Sequence, residues 1–236
     1  MRLLHTETFE LKEFLGDNIP EYAILSHTWD EEEVTFQDMS AGLAKEKKLG
    51  WRKIQFCCKQ AVQDGFSWAW IDTCCIDKTS SAELSESINS MYEWYKKSRI
   101  CYVYLQDCYE RKPFSKSRWW TRGWTLQELI APSCVWFYNA NWEEIGSKRS
   151  MHRQVTRITG IDEDILTGGC IFGCNVAVRM SWAADRETTR IEDEAYCLLG
   201  LFGVNMPLLY GEGKRAFKRL QEEILKVTED YTLFTW

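Results

Sequence analysis

The 236-residue sequence has no run approaching the ~18 consecutive apolar residues of a membrane span. Its opening stretch, MRLLHTETFELKEFLGD, is too charged and too interrupted for a signal peptide. It also lacks any N-x-S/T acceptor triplet and any C-x-x-C pair. Ten cysteines are present, but two adjacent pairs, Cys57-Cys58 and Cys74-Cys75, sit inside apolar segments, which suits buried, reduced thiols better than disulfides. Cys170-x-x-x-Cys174 has no partner pair, so no metal site is expected. Together these absences predict a cytoplasmic protein with no membrane segment. A net charge of -6, with no Lys/Arg-rich run to offset it, argues against a nucleic-acid partner.

Familiar catalytic signatures are missing as well. GEGK at 211–214 lacks the spacing of a phosphate loop, G-x-S-x-G is absent, and no G-x-G-x-x-G follows the first predicted strand. With three histidines, Ser-His catalysis would have to use His5, His27 or His152, and only His27 falls at a strand end. Asp72 and Asp77 could hold a divalent ion, but two carboxylates in one turn serve equally well as turn-formers or helix caps.

What the chain has in excess is aromatic surface. There are 12 tryptophans, and each can bury ~150–250 Å². Three of them crowd into SRWWTRGWTLQEL (117–129), around the single carboxylate Glu128. Short apolar runs at 22–27 (YAILSH), 67–72 (SWAWID), 100–107 (ICYVYLQD) and 134–138 (CVWFY) predict strands. Amphipathic patterns predict helices over 50–65, 81–99 and 124–131, the last stopped by Pro132. The order β-α-β-α-β-α-β implies a mostly parallel sheet with helices on both faces. Beyond residue 140 the pattern becomes helical, with helices over 188–203, opened by a Thr189/Glu192 capping box, and 211–227. No linker and no repeat interrupts the chain, so a single domain spanning 1–236 is expected: an α/β core over about 20–140, with residues of about 141–236 packed on it.

Ligands of an open parallel sheet collect beyond the carboxyl ends of its strands. Three strands end there in polar or reactive residues, in SHTW, DTCCID and QDCYE, and the helix bearing Glu128 follows the third. Each residue also has a plainer use. Ser26 or His27 could cap a strand, the tryptophans could be core, and an acidic residue on a surface helix is normally solvated. Glu128 is set among Leu126, Leu129 and Ile130, where solvation is less comfortable.

The segments YAILSHTW, WIDTCCIDK, SRWWTRGWTLQELIAP and SWAADRETTRIEDEAYCLLGLFGVNMPLLYGEG, in that order, resemble the HET (heterokaryon incompatibility) domain of filamentous fungi, from about residue 20 to the end. That resemblance implies a cell-death effector of non-self recognition, a form of innate immunity, found at the N-terminus of incompatibility proteins ahead of regulatory NTP-binding and repeat domains. The chain would then be the effector part of such a protein or a short stand-alone member. Its first two segments are also similar to TIR domains, implying a TIR-like, flavodoxin-like doubly wound core. In plant-type TIR domains the next helix carries a pattern like S-x-W-C-L-x-E-L, whose Glu serves in NAD hydrolysis. GWTLQEL (123–129) aligns Glu128 with that Glu, while Thr125 replaces the Cys and an extra aromatic stretch precedes the motif.

By this resemblance Glu128 is the expected catalytic residue of an NAD(P)+ nucleosidase. Ser26, His27, Trp29, Asp72, Arg122 and Trp124 are then expected to bind NAD or NADP, taken as substrate, with no resident cofactor. A homo-oligomer is the expected active form. The alternative is a non-enzymatic death-signalling module that acts by self-assembly, with the same residues serving packing.

Overall fold

The computed structural model describes residues 1–16, 18–109 and 113–235. Glu110, at the end of the predicted QDCYE rim, and Trp236 lie outside the described residues. Seven strands form one sheet: β1 (Arg2–His5), β2 (Leu11–Glu13), β3 (Ala23–His27), β4 (Trp68–Trp70), β5 (Ile100–Tyr104), β6 (Val135–Tyr138) and β7 (Glu144–Ser147), in the spatial order β2-β1-β4-β3-β5-β6-β7. The helices are α1 (Phe36–Ser40), α2 (Lys48–Gln63), α3 (Asp72–Cys75), α4 (Ser81–Lys97), α5 (Thr125–Ile130) and α6 (His152–Thr159). They continue with α7 (Glu163–Leu166), α8 (Val176–Ser181), α9 (Asp193–Tyr196), α10 (Leu199–Phe202) and α11 (Arg215–Val227). Among the described residues no helix is long and apolar enough to cross a membrane.

The four strands anticipated from the sequence form the parallel centre, β4-β3-β5-β6. Three further strands were not anticipated, and all three pair antiparallel at the two edges. The sheet is therefore mixed, and it begins at Arg2, well before residue 20. In β1 both Leu3 and Leu4 are buried, so the two-residue alternation that marks a half-exposed strand is absent from this run. β7 also places a strand inside the part expected to be helical. Glu144–Ser147 is only partly buried and carries Gly146, so neither apolar alternation nor β propensity marks it.

Side-chain alternation along the central strands explains the two-sided cover. Tyr102 and Tyr104 of β5 face α2, where the Tyr102 hydroxyl donates to Asp64 Oδ2 at 2.5 Å and Phe56 packs on Tyr104 with ring centroids 6.1 Å apart. On the opposite face Cys101 Sγ meets the backbone oxygen of Glu128, and Trp70 packs edge-on against Trp94 and Tyr95 of α4. Phe137 of β6 closes this face with Phe114, Trp119 and Trp120. Much of the tryptophan excess is thus core: Trp70 and Trp119 are fully buried and Trp120 nearly so.

The C-terminal part covers α4. Gly200 of α10 lies so close to it that a Cβ there would stand 2.0 Å from the Tyr92 Cβ. The predicted helix over 188–203 is in fact two short helices, α9 and α10, and the expected Thr189/Glu192 capping box does not form. Glu192 instead accepts from the backbone N–H groups of Gly211 and Gly213, and the Thr189 hydroxyl accepts from Arg122. Tertiary hydrogen bonds have taken the groups that the local pattern reserved for a cap.

Candidate functional site

Along the parallel centre the chain runs from β3 outward to β4, then returns across β3 to β5. The connections diverge between β3 and β5, the switch point beyond whose carboxyl ends an open sheet of this kind takes its ligands. Ser26 and His27 are the last two residues of β3, opposite Val103 and Tyr104. After β5 the chain folds through a tight 3-10 turn, Arg118–Thr121, into α5, which packs against β3 and α4. This turn is held at its start by Asp107, which accepts from the Ser117 hydroxyl at 2.6 Å and the Arg118 N–H at 3.0 Å. Glu128, in the first turn of α5, is thereby brought onto the end of β3.

There the Ser26 hydroxyl donates to Glu128 Oε2, and the fully buried Trp119 donates its indole N–H to Ser26 Oγ at 2.8 Å. With its lone pair engaged by Trp119, the serine is left with its proton to direct at the carboxyl. The Tyr95 hydroxyl, which donates to Leu25 O at 3.0 Å, is a further hydrogen-bonding neighbour of Glu128. Glu128 is 7% exposed, and burial pushes its carboxyl up from 4.5 to about 8, with Asp72 adding to the rise. Ser26, Tyr95 and Arg186 pull the other way without overcoming it.

At the rim, Asp72, the first residue of α3, faces His27 Nε2 at 3.1 Å and accepts from Trp29 Nε1 at 2.8 Å. Burial would raise its pKa, but the Lys78 ammonium, His27 and Trp29 outweigh that and hold it at about 2. Lys78 lies over the Trp29 ring, 3.4 Å from its centroid, an arrangement that suits a cation–π contact. The other ring nitrogen of His27 has no hydrogen-bond partner among the described residues, and Glu33 stands 3.9 Å from it. Glu33 is itself neutralised by the buried Lys53, which also donates to Thr28 O at 3.1 Å. Asp30 binds Arg118 at 2.6 Å and accepts from the Gln106 amide, so the loop after β3 is held by two cations, Lys53 and Arg118, and one neutral donor.

Ser26, His27, Trp29, Asp72 and Glu128 therefore share one corner of the fold. Arg122 and Trp124 turn toward the C-terminal part. Arg122 Nη2 donates to Thr189 Oγ1 at 2.9 Å, and Trp124 hydrogen-bonds Asp193, which is one influence on that carboxyl. Asp77 closes an Asx turn on Thr79 and accepts from Gln37 at 2.6 Å.

Four contributors were not anticipated: Tyr95, Lys78, Arg118 and Arg186. Arg186 donates to Arg122 O and Thr125 Oγ1, both at 2.9 Å, and so braces the start of α5. A short parallel bridge between Arg122 and Glu187 sets it there. Trp119 was visible as part of an aromatic cluster, but its hydrogen bond to Ser26 was not. Chemically the corner offers one buried carboxyl that can gain or lose a proton near neutrality, a hydroxyl fixed as its donor, and a rim carrying an aromatic ring, a carboxylate and two cations.

Residues 22–112 match the family model described as heterokaryon incompatibility protein (HET). The whole chain is similar to vegetative incompatibility protein HET-E-1 of Podospora anserina, 47% identical over 244 residues, covering 96% of this chain. The chain carries a HET domain. It spans only 18% of the length of that relative, so the HET domain occupies a small part of the longer incompatibility protein. No solved structure matches the chain.

Proposed function

We propose that this HET domain is a cell-death effector of fungal non-self recognition that acts by hydrolysing NAD at the nicotinamide–ribose bond, on a TIR-like core. One observation carries the proposal: Glu128, on the helix after β5, is held by Ser26 at the carboxyl end of β3, beside the switch point where a doubly wound sheet takes its ligand. The spatial order of the parallel strands, β4-β3-β5-β6, is the order of a flavodoxin-like sheet and supports the same reading.

Cleavage breaks the bond between the ribose anomeric carbon and the pyridinium nitrogen. The bonding pair leaves with nicotinamide, which becomes neutral, and an oxocarbenium-like sugar remains, to be captured by water with loss of a proton. An ionised Glu128 would stabilise that developing positive charge, most strongly where water is excluded. Trp29 supplies a half-exposed ring face for a base, and Lys78 and Arg118 supply charge for a pyrophosphate.

In the closed geometry the carboxyl is largely protonated at neutral pH. Activation then requires opening of the corner, which admits substrate and, by rehydrating Glu128, favours its ionised form. Self-association under the control of additional domains, such as NTP-binding and repeat domains in a longer chain, is the proposed trigger.

One observation favours the alternative, a non-enzymatic module that signals by assembly: Glu128 is only 7% exposed, closed in by Ser26 and by the buried Trp119 and Tyr95. Cellular NAD separates the two readings. Expression of the active domain should deplete NAD before viability falls, and Glu128→Gln should abolish both effects. Death with undiminished NAD would refute the enzymatic reading.

A further inference from the structure

The C-terminal part builds a cleft that the proposed reaction does not use. Its volume is about 520 Å³, within the ~300–1,000 Å³ typical of small-molecule sites. The start of α11 lines it with Lys214, Phe217, Lys218 and Gln221, and Arg186 and Glu194 also line it. Three of these side chains are cationic and one is acidic, in a chain whose net charge is -6. The Lys214 ammonium has no hydrogen-bond or ion-pair partner among the described residues, and it provides no side-chain cap for the helix it precedes. Lys218 reaches only the exposed Glu222, at 4.0 Å, a surface pair that holds it weakly.

Two ammonium groups one helical turn apart are therefore free to turn into the cleft, beside the ring of Phe217. Cations placed next to an aromatic wall suit a phosphate group joined to a planar apolar ring. Arg186 belongs to both sides. It lines the cleft, it holds the Arg122 and Thr125 corner at the start of α5, and its charge acts on Glu128.

We propose that this cleft binds a phosphate-bearing small molecule, and that Arg186 couples its occupancy to the helix carrying Glu128. The binding stands independently of NAD cleavage, and only the meaning of the coupling rests on the function proposed above.

Calorimetric titration of the intact chain with AMP, and separately with inorganic phosphate, tests the site. One AMP per chain should bind saturably, with phosphate competing for it. The Lys214→Glu/Lys218→Glu double variant changes only exposed side chains, so it should melt like the wild type and bind AMP at least about tenfold more weakly. In hydrogen exchange, AMP should slow the amides of residues 122–130 in the wild type and not in the double variant. Absence of saturable binding of both probes, or AMP binding undiminished by the double reversal, would overturn the site. Binding with no change of exchange over 122–130 would overturn the coupling. Neither result depends on whether NAD is cleaved.

Discussion

Replacing Glu128 by Gln should make the protein more stable, by an amount that grows with pH. The folded chain holds the Glu128 proton more tightly than the unfolded chain, because burial lifts the carboxyl from 4.5 to about 8. Stability associated with this proton is fully present below the unfolded value and is lost as pH rises toward the folded one. At ~1.4 kcal/mol per pH unit, the loss at pH 7 is about 3 kcal/mol and levels off near 5 kcal/mol above pH 8. A domain of this size shifts its Tm by ~2–4 °C per kcal/mol, so the difference at pH 7 is about 6–12 °C. Glutamine keeps the shape and has no proton to lose. Thermal unfolding of both proteins across a pH series should therefore show matching Tm values near pH 4 and a widening advantage for Glu128→Gln up to about pH 8. A Tm difference that stays constant with pH, or a variant less stable than the wild type at neutral pH, would refute the argument.

Gly200→Ala would drive a methyl group into the Tyr92 backbone-proximal atoms and force α10 off α4, costing about 3 kcal/mol or more in denaturant unfolding. Trp119→Phe removes the donor to Ser26, and an unsatisfied buried oxygen should cost about 1–3 kcal/mol. It also frees the serine proton to turn away from Glu128, so the pH profile of NAD cleavage should move to higher pH. If self-association opens the corner, nicotinamide release per molecule should rise with protein concentration or with a fused oligomerising tag. A flat response would remove assembly from the mechanism.

The centre of the fold was legible because its signals are local and strong. YAILSH, SWAWID, ICYVYLQD and CVWFY each carry a buried central strand, and the helix over 81–99 shows its apolar face at helical spacing. The edges were not legible. Four-residue β1 gains its strand character from β4, distant in sequence, partly buried β7 gains its own by pairing at the edge with β6, and Glu192, at the start of α9, reaches across to Gly211 and Gly213 instead of closing a local cap.

Much the same holds at the corner. Ser26, His27, Asp72 and Glu128 could be picked out because the ends of parallel strands converge on one rim. Arg122 and Trp124 are adjacent to Glu128 in sequence, but a short 3-10 turn and the bridge to Glu187 direct them to the C-terminal part. Tyr95, Lys78 and Arg186 arrive from three different segments, and only the packed tertiary structure brings them to Glu128 and Asp72.

The central claim is that the Glu128 carboxylate drives cleavage of NAD, and the most direct measurement is nicotinamide released from NAD by purified wild-type and Glu128→Gln protein at high protein concentration. The account predicts release by the wild type and a fall of ~10²–10³-fold in the variant, the worth of about 3–4 kcal/mol of lost transition-state stabilisation. That fall should come in a protein that melts at least as high as the wild type. Equal release by a folded Glu128→Gln protein, or none by the wild type under any oligomeric condition, would contradict it.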